Sequence, residues 1–367
     1  MDPQTSVEML RMMLEIYSPS GKEEKLASFL TDELTGLKFG KVRTDKAGNV
    51  YGEIGTGVPT ILLCGHMDTV TGRIPVKTED SKLYGRGAAD AKASLAAMIA
   101  AASNFTPKPE NGRIVVAGVV EEESSARGIR QLMHEGLKVD YAIFGEPSGV
   151  KNITFAYKGR LGLGITCRTA PGHVGAQHLL DNAIEESSEL WRHLKAFCEK
   201  HKSSGGIFYS LAPCLTSIRS RRTSGGVPDI CTLEIDLRLP PTVKCRDAAA
   251  LVKDAVVGFQ KGAESSISFK VTDEIEPFVA RRDTAVMKAL GEAIQEVTGG
   301  PAEFLRKTGT GDMNIFGAET GVPVATYGPG NARLSHTNDE YVGTAEYLTS
   351  IQVYEKTIGK VLSRKFE

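Results

Sequence analysis

The sequence predicts an α/β protein: a central mixed β-sheet flanked by helices, with an inserted ferredoxin-like β-α-β-β-α-β domain. Three observations lead there. Strand-like and helix-like runs alternate through the first 150 residues, the mark of layered α/β structure. Near Lys158 the order becomes β-α-β-β-α-β over ~110 residues. After Pro277 the first pattern resumes. The reading is therefore one domain made of residues 1–157 and 276–367, interrupted by a second made of 158–275. The 367-residue length suits two domains at ~100–200 residues each.

The elements follow in order. Thr5–Tyr17 carries Val7, Leu10 and Leu14 on one helical stripe and stops before the turn cluster Ser18-Pro19-Ser20-Gly21. Glu23–Leu34 has helix periodicity. Asn49–Ile54 and Thr60–Cys64 read as strands, and Lys92–Ala102, rich in Ala, Leu and Met, as a helix. Arg113–Val120 and Tyr141–Phe144 are short apolar runs suited to buried strands. In the insert, Leu161–Arg168, Leu215–Arg219, Cys231–Leu239 and Ser265–Val271 read as strands, with helices over Leu180–Lys200 and Asp247–Phe259. Helices Thr284–Val297 and Asp312–Phe316, strand Pro323–Tyr327 and helix Thr344–Leu362 complete the first domain.

Composition narrows the function classes. Forty-four basic against 45 acidic side chains give a net charge of −1, which offers no footprint for nucleic acid or an anionic membrane. The longest apolar stretch, Leu95–Ala102, falls far short of the ~20 residues of a membrane span. Glu8 and Glu15 argue against a secretion signal. The six cysteines form no CxxC pair, and several stand in apolar runs, which implies reduced thiols and a cytoplasmic setting.

Four apolar runs end in potential ligands or glycine loops. Ile61–Cys64 leads to His66 and Asp68, Ile114–Val120 to Glu121-Glu122-Glu123, and Tyr141–Phe144 to Glu146. Pro323–Tyr327 leads to Gly328-Pro329-Gly330, with His336 beyond. In open α/β sheets ligands gather at the carboxyl ends of strands. Each residue has a plainer role open to it: Asp90 as a helix cap, the glutamates as a surface turn, His336 as a loop histidine. Together they supply mixed N and O donors without cysteine, a set suited to zinc, with Asp68 placed to orient the His66 imidazole. A carboxylate between two ions ~3.5–4 Å apart would make a hydrolytic pair.

These motifs together resemble the two-zinc metallopeptidase family of acetylornithine deacetylase, succinyl-diaminopimelate desuccinylase, aminoacylases and glutamate carboxypeptidase. The resemblance rests on Gly65-His66-Met67-Asp68, Gly85-Arg86-Gly87-Ala88-Ala89-Asp90, the triple glutamate followed by Gly128, Gly145-Glu146-Pro147 and the late His336. It spans nearly the whole chain. It implies two divalent metal ions, zinc with cobalt or manganese as alternatives. Asp90 would bridge them, His66 and Glu146 would complete one, and Glu123 and His336 the other. Asp68 would hold His66, and Glu122 would be the general base. The base–ligand pair is Glu122–Glu123 or, one register earlier, Glu121–Glu122; the spacing to Gly128 favours the first.

The resemblance also makes the insert a lid that forms a homodimer. His173, in Ala170-Pro171-Gly172-His173, would reach the partner's site, and Arg238, in Asp236-Leu237-Arg238, would grip a substrate carboxylate. Gly225-Gly226 replaces the asparagine many relatives carry before the Val227-Pro228 turn. Within the family, Gly87–Lys92 and Lys307–Asn314 look most like the hydrolases of lysine and arginine biosynthesis, which release lysine or ornithine from an acidic amino-group carrier protein. Thr310 and Asp312 in the second segment are then expected to bind substrate, the Asp312 carboxylate facing the ammonium of lysine or ornithine. Arg219, Arg221 and Arg222, with Arg281 and Arg282, would steer the carrier. Alternative substrates are small N-acyl amino acids such as acetylornithine or succinyl-diaminopimelate, and dipeptides or aminoacyl compounds. A catalytically inactive metal-binding dimer is an alternative of another class, against which the intact His66, Asp90, Glu122, Glu123, Glu146 and His336 argue.

Overall fold

Strand Thr60–His66 is buried at every residue and forms the middle of the principal sheet. It runs parallel to Arg113–Val119 on one side and to Tyr141–Gly145 on the other, and Val324–Tyr327 continues the parallel set. Register places His66 beside Val119, Gly65 beside Gly145, and Gly145 beside Tyr327. The carboxyl ends of these four strands therefore lie in one row, and the loops after them open on the same edge. Val50–Gly55 and then Gly40–Thr44 extend the sheet antiparallel on one flank, and Asn152–Tyr157 joins it antiparallel on the other. The sheet is mixed, as expected.

The computed structural model describes residues 1–105, 112–221, 224–260 and 265–363. The chain divides into two compact units. Met1–Phe155, Ala280–Leu305 and Gly311–Glu367 form the larger; Ala156–Val279 and Arg306–Thr310 form the smaller.

In the larger unit, helix Lys92–Ser103 is buried nearly all round, which accounts for its unbroken run of small and apolar residues. It lies hard against the strand ends. A Cβ on Gly145 would come within 2.9 Å of the Ser94 Cβ, and one on Gly328 would collide with the Ser94 hydroxyl, so only glycine fits there. The first helix spans Pro3–Glu15, two residues earlier at each end than its apolar stripe suggests. Asp2 caps it by accepting from the Thr5 N–H at 3.0 Å, and Pro3 suits its first turn. The Lys92 ammonium donates to the carbonyls of Met13 (3.0 Å) and Ile16 (2.6 Å), closing its other end. Helix Arg127–His134 and strand Glu303–Lys307 are additional elements that the sequence reading does not mark.

In the smaller unit, four strands pair antiparallel in the order Ala212–Ser220, Ile230–Leu239, Gly159–Arg168, Ser266–Ile275. That is the ferredoxin-like order. Helices Ala183–Lys200 and Cys245–Gln260 cover one face, where Leu161, Leu163, Leu233 and Ile235 meet Leu190 and Val252. The first of these helices starts at Ala183 rather than Leu180 because the Asn182 side chain caps it, accepting from the Ile184 N–H at 3.0 Å. All six cysteines are free thiols, and all but Cys214 are buried. No described helix is long and apolar enough to cross a membrane.

Candidate metal centre

The site is built on the row of strand ends in the larger unit. Strand Thr60–His66 delivers His66 with a side chain only 1% exposed. Its Nδ1 lies 2.9 Å from the Asp68 carbonyl oxygen and 3.5 Å from the Asp68 carboxylate. As a donor there, it turns Nε2 toward Asp90 at 3.4 Å and Glu146 at 3.8 Å. Nε2 is buried without a hydrogen-bond partner among the described residues. A buried imidazole nitrogen left in this way, facing two carboxylates, is suited to a cation.

Asp68 does more than orient His66. Its two carboxylate oxygens accept the backbone N–H groups of Glu122 and Glu123, each at 3.0 Å, and the Ser20 hydroxyl at 2.7 Å. It thus fixes the chain just beyond strand Arg113–Val119. Burial opposes its negative charge, but His66 and these donors prevail and hold its carboxyl below the usual range.

The three glutamates separate at that turn. Glu121 has φ +56, and its N–H donates to Glu23 at 3.1 Å. Its carboxylate points away, onto Arg127 at 2.7 Å and the Ser125 hydroxyl. Glu122 and Glu123 turn inward. Glu123 lies 2.9 Å from His336 Nε2, which is itself 3.6 Å from Asp90. Donor atoms converge in three overlapping groups: His66, Asp90 and Glu146; His66, Glu122 and Glu123; Asp90, Glu123 and His336. The two histidines differ sharply, since the His336 side chain is 52% exposed.

The electrostatics are strained in one direction. Burial, then the facing Glu146, pushes the Glu122 carboxyl well above its ordinary range. Burial raises Glu123 as well, against the pull of His336. For His66, burial disfavours the imidazolium, but Asp68 and Asp90 outweigh it and hold the pKa well above normal. Glu123 raises His336. The cluster holds more carboxylate than its two imidazoles can neutralise. Excess acidic charge, hard oxygen donors, two imidazoles and an unpartnered Nε2 fit divalent cations.

The remaining residues singled out in the sequence fall elsewhere. Asp312 is in the larger unit, buried at the start of helix Asp312–Thr320. Gly311 is the cap of that helix, so capping is not the role of Asp312. Burial, with Asp68 and Glu146 adding to it and His66 opposing, pushes its carboxyl up to about 8, and its Oδ1 has no hydrogen-bond partner among the described residues. His173, Arg238 and Thr310 belong to the smaller unit. His173 is exposed and accepts from the Gly175 N–H at 3.0 Å. Arg238 lies 2.7 Å from Asp236 and donates to the Thr310 hydroxyl at 3.4 Å, a pairing with no signal in the sequence.

The expected basic docking patch is largely neutralised. Arg219 faces Glu234 at 3.4 Å, Arg221 faces Asp229 at 2.7 Å, and Arg281 faces Asp283 at 2.8 Å. The Arg282 guanidinium lies over the rings of Phe155 and Phe304. Arg222 lies outside the described residues. Sequence reasoning overlooked Ser20, Glu23 and Glu340. The first two stand in and just after the turn cluster following the first helix, and Glu340 stands four residues after His336, the only signals available.

The profile of peptidase family M20/M25/M40 matches residues 62–360. A LysW-lysine hydrolase of Deinococcus radiodurans is 33% identical over 98% of both chains. A LysW-lysine/LysW-ornithine hydrolase of Sulfurisphaera tokodaii is 30% identical over 98% of this chain and 96% of its own. Among solved structures, a Staphylococcus aureus tripeptidase superposes with a TM-score of 0.83 at 19% identity over 99% of both chains.

Proposed function

This chain belongs to peptidase family M20/M25/M40, and from that premise we propose that it is a two-metal amide hydrolase releasing lysine or ornithine from an acidic amino-group carrier protein in the cytoplasm. The observation that carries the hydrolase reading is the set of three overlapping donor groups sharing His66, Asp90 and Glu123. The carrier-linked substrate rests on similarity along nearly the full length of two relatives whose names state it.

In this reading Asp90, a member of two of the donor groups, would contribute to both ions. His66 and Glu146 would hold one, and Glu123 and His336 the other, with zinc first choice and cobalt or manganese suited to the same donors. Bound ions supply Lewis-acid polarisation of the amide carbonyl and countercharge for the developing oxyanion. Glu122 does the proton work. Turned in among the donor groups, it takes a proton from the attacking water and passes it to the leaving nitrogen. Asp68 keeps His66 in one tautomer and Glu122 in place. The chain acts as a homodimer in which His173 of the partner subunit steadies the carbonyl oxygen. Arg238, oriented by Asp236 and Thr310, takes the substrate carboxylate, and Asp312 favours the ammonium end.

Turnover of a substrate panel tests this reading. Carrier-linked lysine or ornithine is expected to have a kcat/KM at least ~10-fold above those of acetylornithine, succinyl-diaminopimelate and simple dipeptides. Preference for a small acyl substrate would move the chain to another activity of the family. Two bound metals without turnover of any member would overturn the hydrolase reading.

A further inference from the structure

We propose that Glu340 is a positioning residue whose carboxylate clamps the Gly85–Asp90 loop, setting Asp90 against His336; the assignment rests on the two-metal reading above. Glu340 is 1% exposed and meets the donor groups at the Asp90 backbone. Its Oε1 accepts three N–H groups from one loop: Gly87 at 3.0 Å, Ala89 at 2.9 Å and Asp90 at 2.9 Å. Its Oε2 accepts from Arg86 at 2.9 Å, and its own carbonyl oxygen takes the Gly85 N–H at 3.2 Å.

Convergence of backbone N–H groups on one oxygen needs a tightly curved chain. Gly87, at φ +92, supplies that curvature where an L side chain would be strained. Arg86 ties in two further segments, donating to the carbonyls of Gly72 at 2.9 Å and Thr337 at 2.8 Å. Thr337 adjoins His336. The Arg86–Glu340 pair therefore grips the backbone on both sides of the Asp90, Glu123, His336 group: the Asp90 amide directly, and the His336 segment through the Thr337 carbonyl and through Glu340 itself.

This matters most for the second ion's donors. His66 is held by burial and by Asp68, whereas His336 is half exposed on a loop residue with φ +63. An exposed ligand on a loop depends on its backbone anchor for its position. A carboxylate with donors on both oxygens is a rigid anchor because its charge-assisted bonds are short and roughly twice as strong as neutral ones. An amide in its place would aim an N–H₂ at either Arg86 or the loop amides.

The test uses the full-length protein loaded with cobalt. In Glu340→Gln, affinity for the second Co(II) equivalent should fall ~10–100-fold, the range for groups that orient metal ligands. The absorption spectrum developed by that equivalent should change. Turnover should fall with kcat while KM stays within about threefold. Arg86→Met keeps the three loop amides on Glu340, so it should weaken the second ion less. If Glu340→Gln does not fold, Glu340→Asp is read by the same measurements. Parental affinity and spectrum with kcat within about twofold would overturn the positioning role. So would an equal loss in Arg86→Met, which would mean the ion pair alone matters. A parental chain that binds fewer than two Co(II) ions would instead remove the two-metal reading, and this assignment with it.

Discussion

In the larger unit, acidic side chains face one another in the interior. Asp68 and Asp312 are enclosed, and Asp90, Glu122, Glu123 and Glu146 crowd against His66. In the smaller unit the helix-covered core is aliphatic, the buried Lys158 ammonium is satisfied by the carbonyls of Ile207 and Ser210, and several acids are matched by arginines: Asp236 and Asp273 with Arg160, Glu234 with Arg219, Asp229 with Arg221. The contrast separates two kinds of charge. A buried carboxylate cluster without enough cations of its own is costly unless something binds there, so it marks a site. An exposed pair is already satisfied and contributes little, typically ~0–1 kcal/mol. Charge counted along the sequence does not distinguish them; Arg219, Arg221 and Arg281 look like parts of a docking patch until their acidic partners are seen.

The largest expected effect tests whether the inward glutamates differ from the outward one. Glu122→Gln should retain two metals and lower turnover at least ~100-fold, and by as much as ~10⁴-fold, as for loss of a general base. Glu121→Gln, which weakens only outward contacts with Arg127 and the Ser125 hydroxyl, should leave turnover within about twofold. Metal analysis beside steady-state kinetics decides it. Loss of metal in Glu122→Gln with an inactive, fully loaded Glu121→Gln would shift the base–ligand pair by one residue.

A smaller effect asks whether the smaller unit contributes chemistry despite its satisfied surface. His173→Ala should cost about 100-fold in kcat, the low end for losing an oxyanion donor. Exchanging subunits between His173→Ala and Glu122→Gln proteins should restore activity that neither has alone. Verified exchange without recovery, or a fully active monomer, would confine the chemistry to one chain.

The smallest effect concerns the paired arginines. Arg219→Ser with Arg221→Ser should change KM for a carrier-linked substrate by no more than about twofold, because each guanidinium is already engaged by an acid of its own unit. A rise of ~10-fold, strongest at low salt, would show that these pairs open for the carrier and steer it after all.

Local pattern carried the architecture because apolar period and turn residues are properties of neighbours in sequence. The runs Ile61–Cys64, Ile114–Val120, Tyr141–Phe144 and Pro323–Tyr327 could be read as buried strands, and a histidine or glutamate just past such a run lies at a sheet edge whatever follows. That is why His66, Glu122, Glu123 and Glu146 were legible, and why the β-α-β-β-α-β insert was too. Element ends were less so: Asp2 and Asn182 moved two helix starts by capping them, and a cap competes with periodicity only over the last turn.

What the tertiary structure alone decided is which partner each polar group meets. Three consecutive glutamates are chemically alike in sequence. They part because Glu23 takes the Glu121 amide while Asp68, more than 50 residues upstream, takes the next two. Glu340 finds its loop 250 residues upstream, Arg238 its Thr310, and Arg219 the acid that silences it. Periodicity records which face of an element is apolar, because every residue on that face feels the same solvent. A hydrogen bond is directional and short, so its partner is chosen only when the chain has brought distant backbone within about 3 Å.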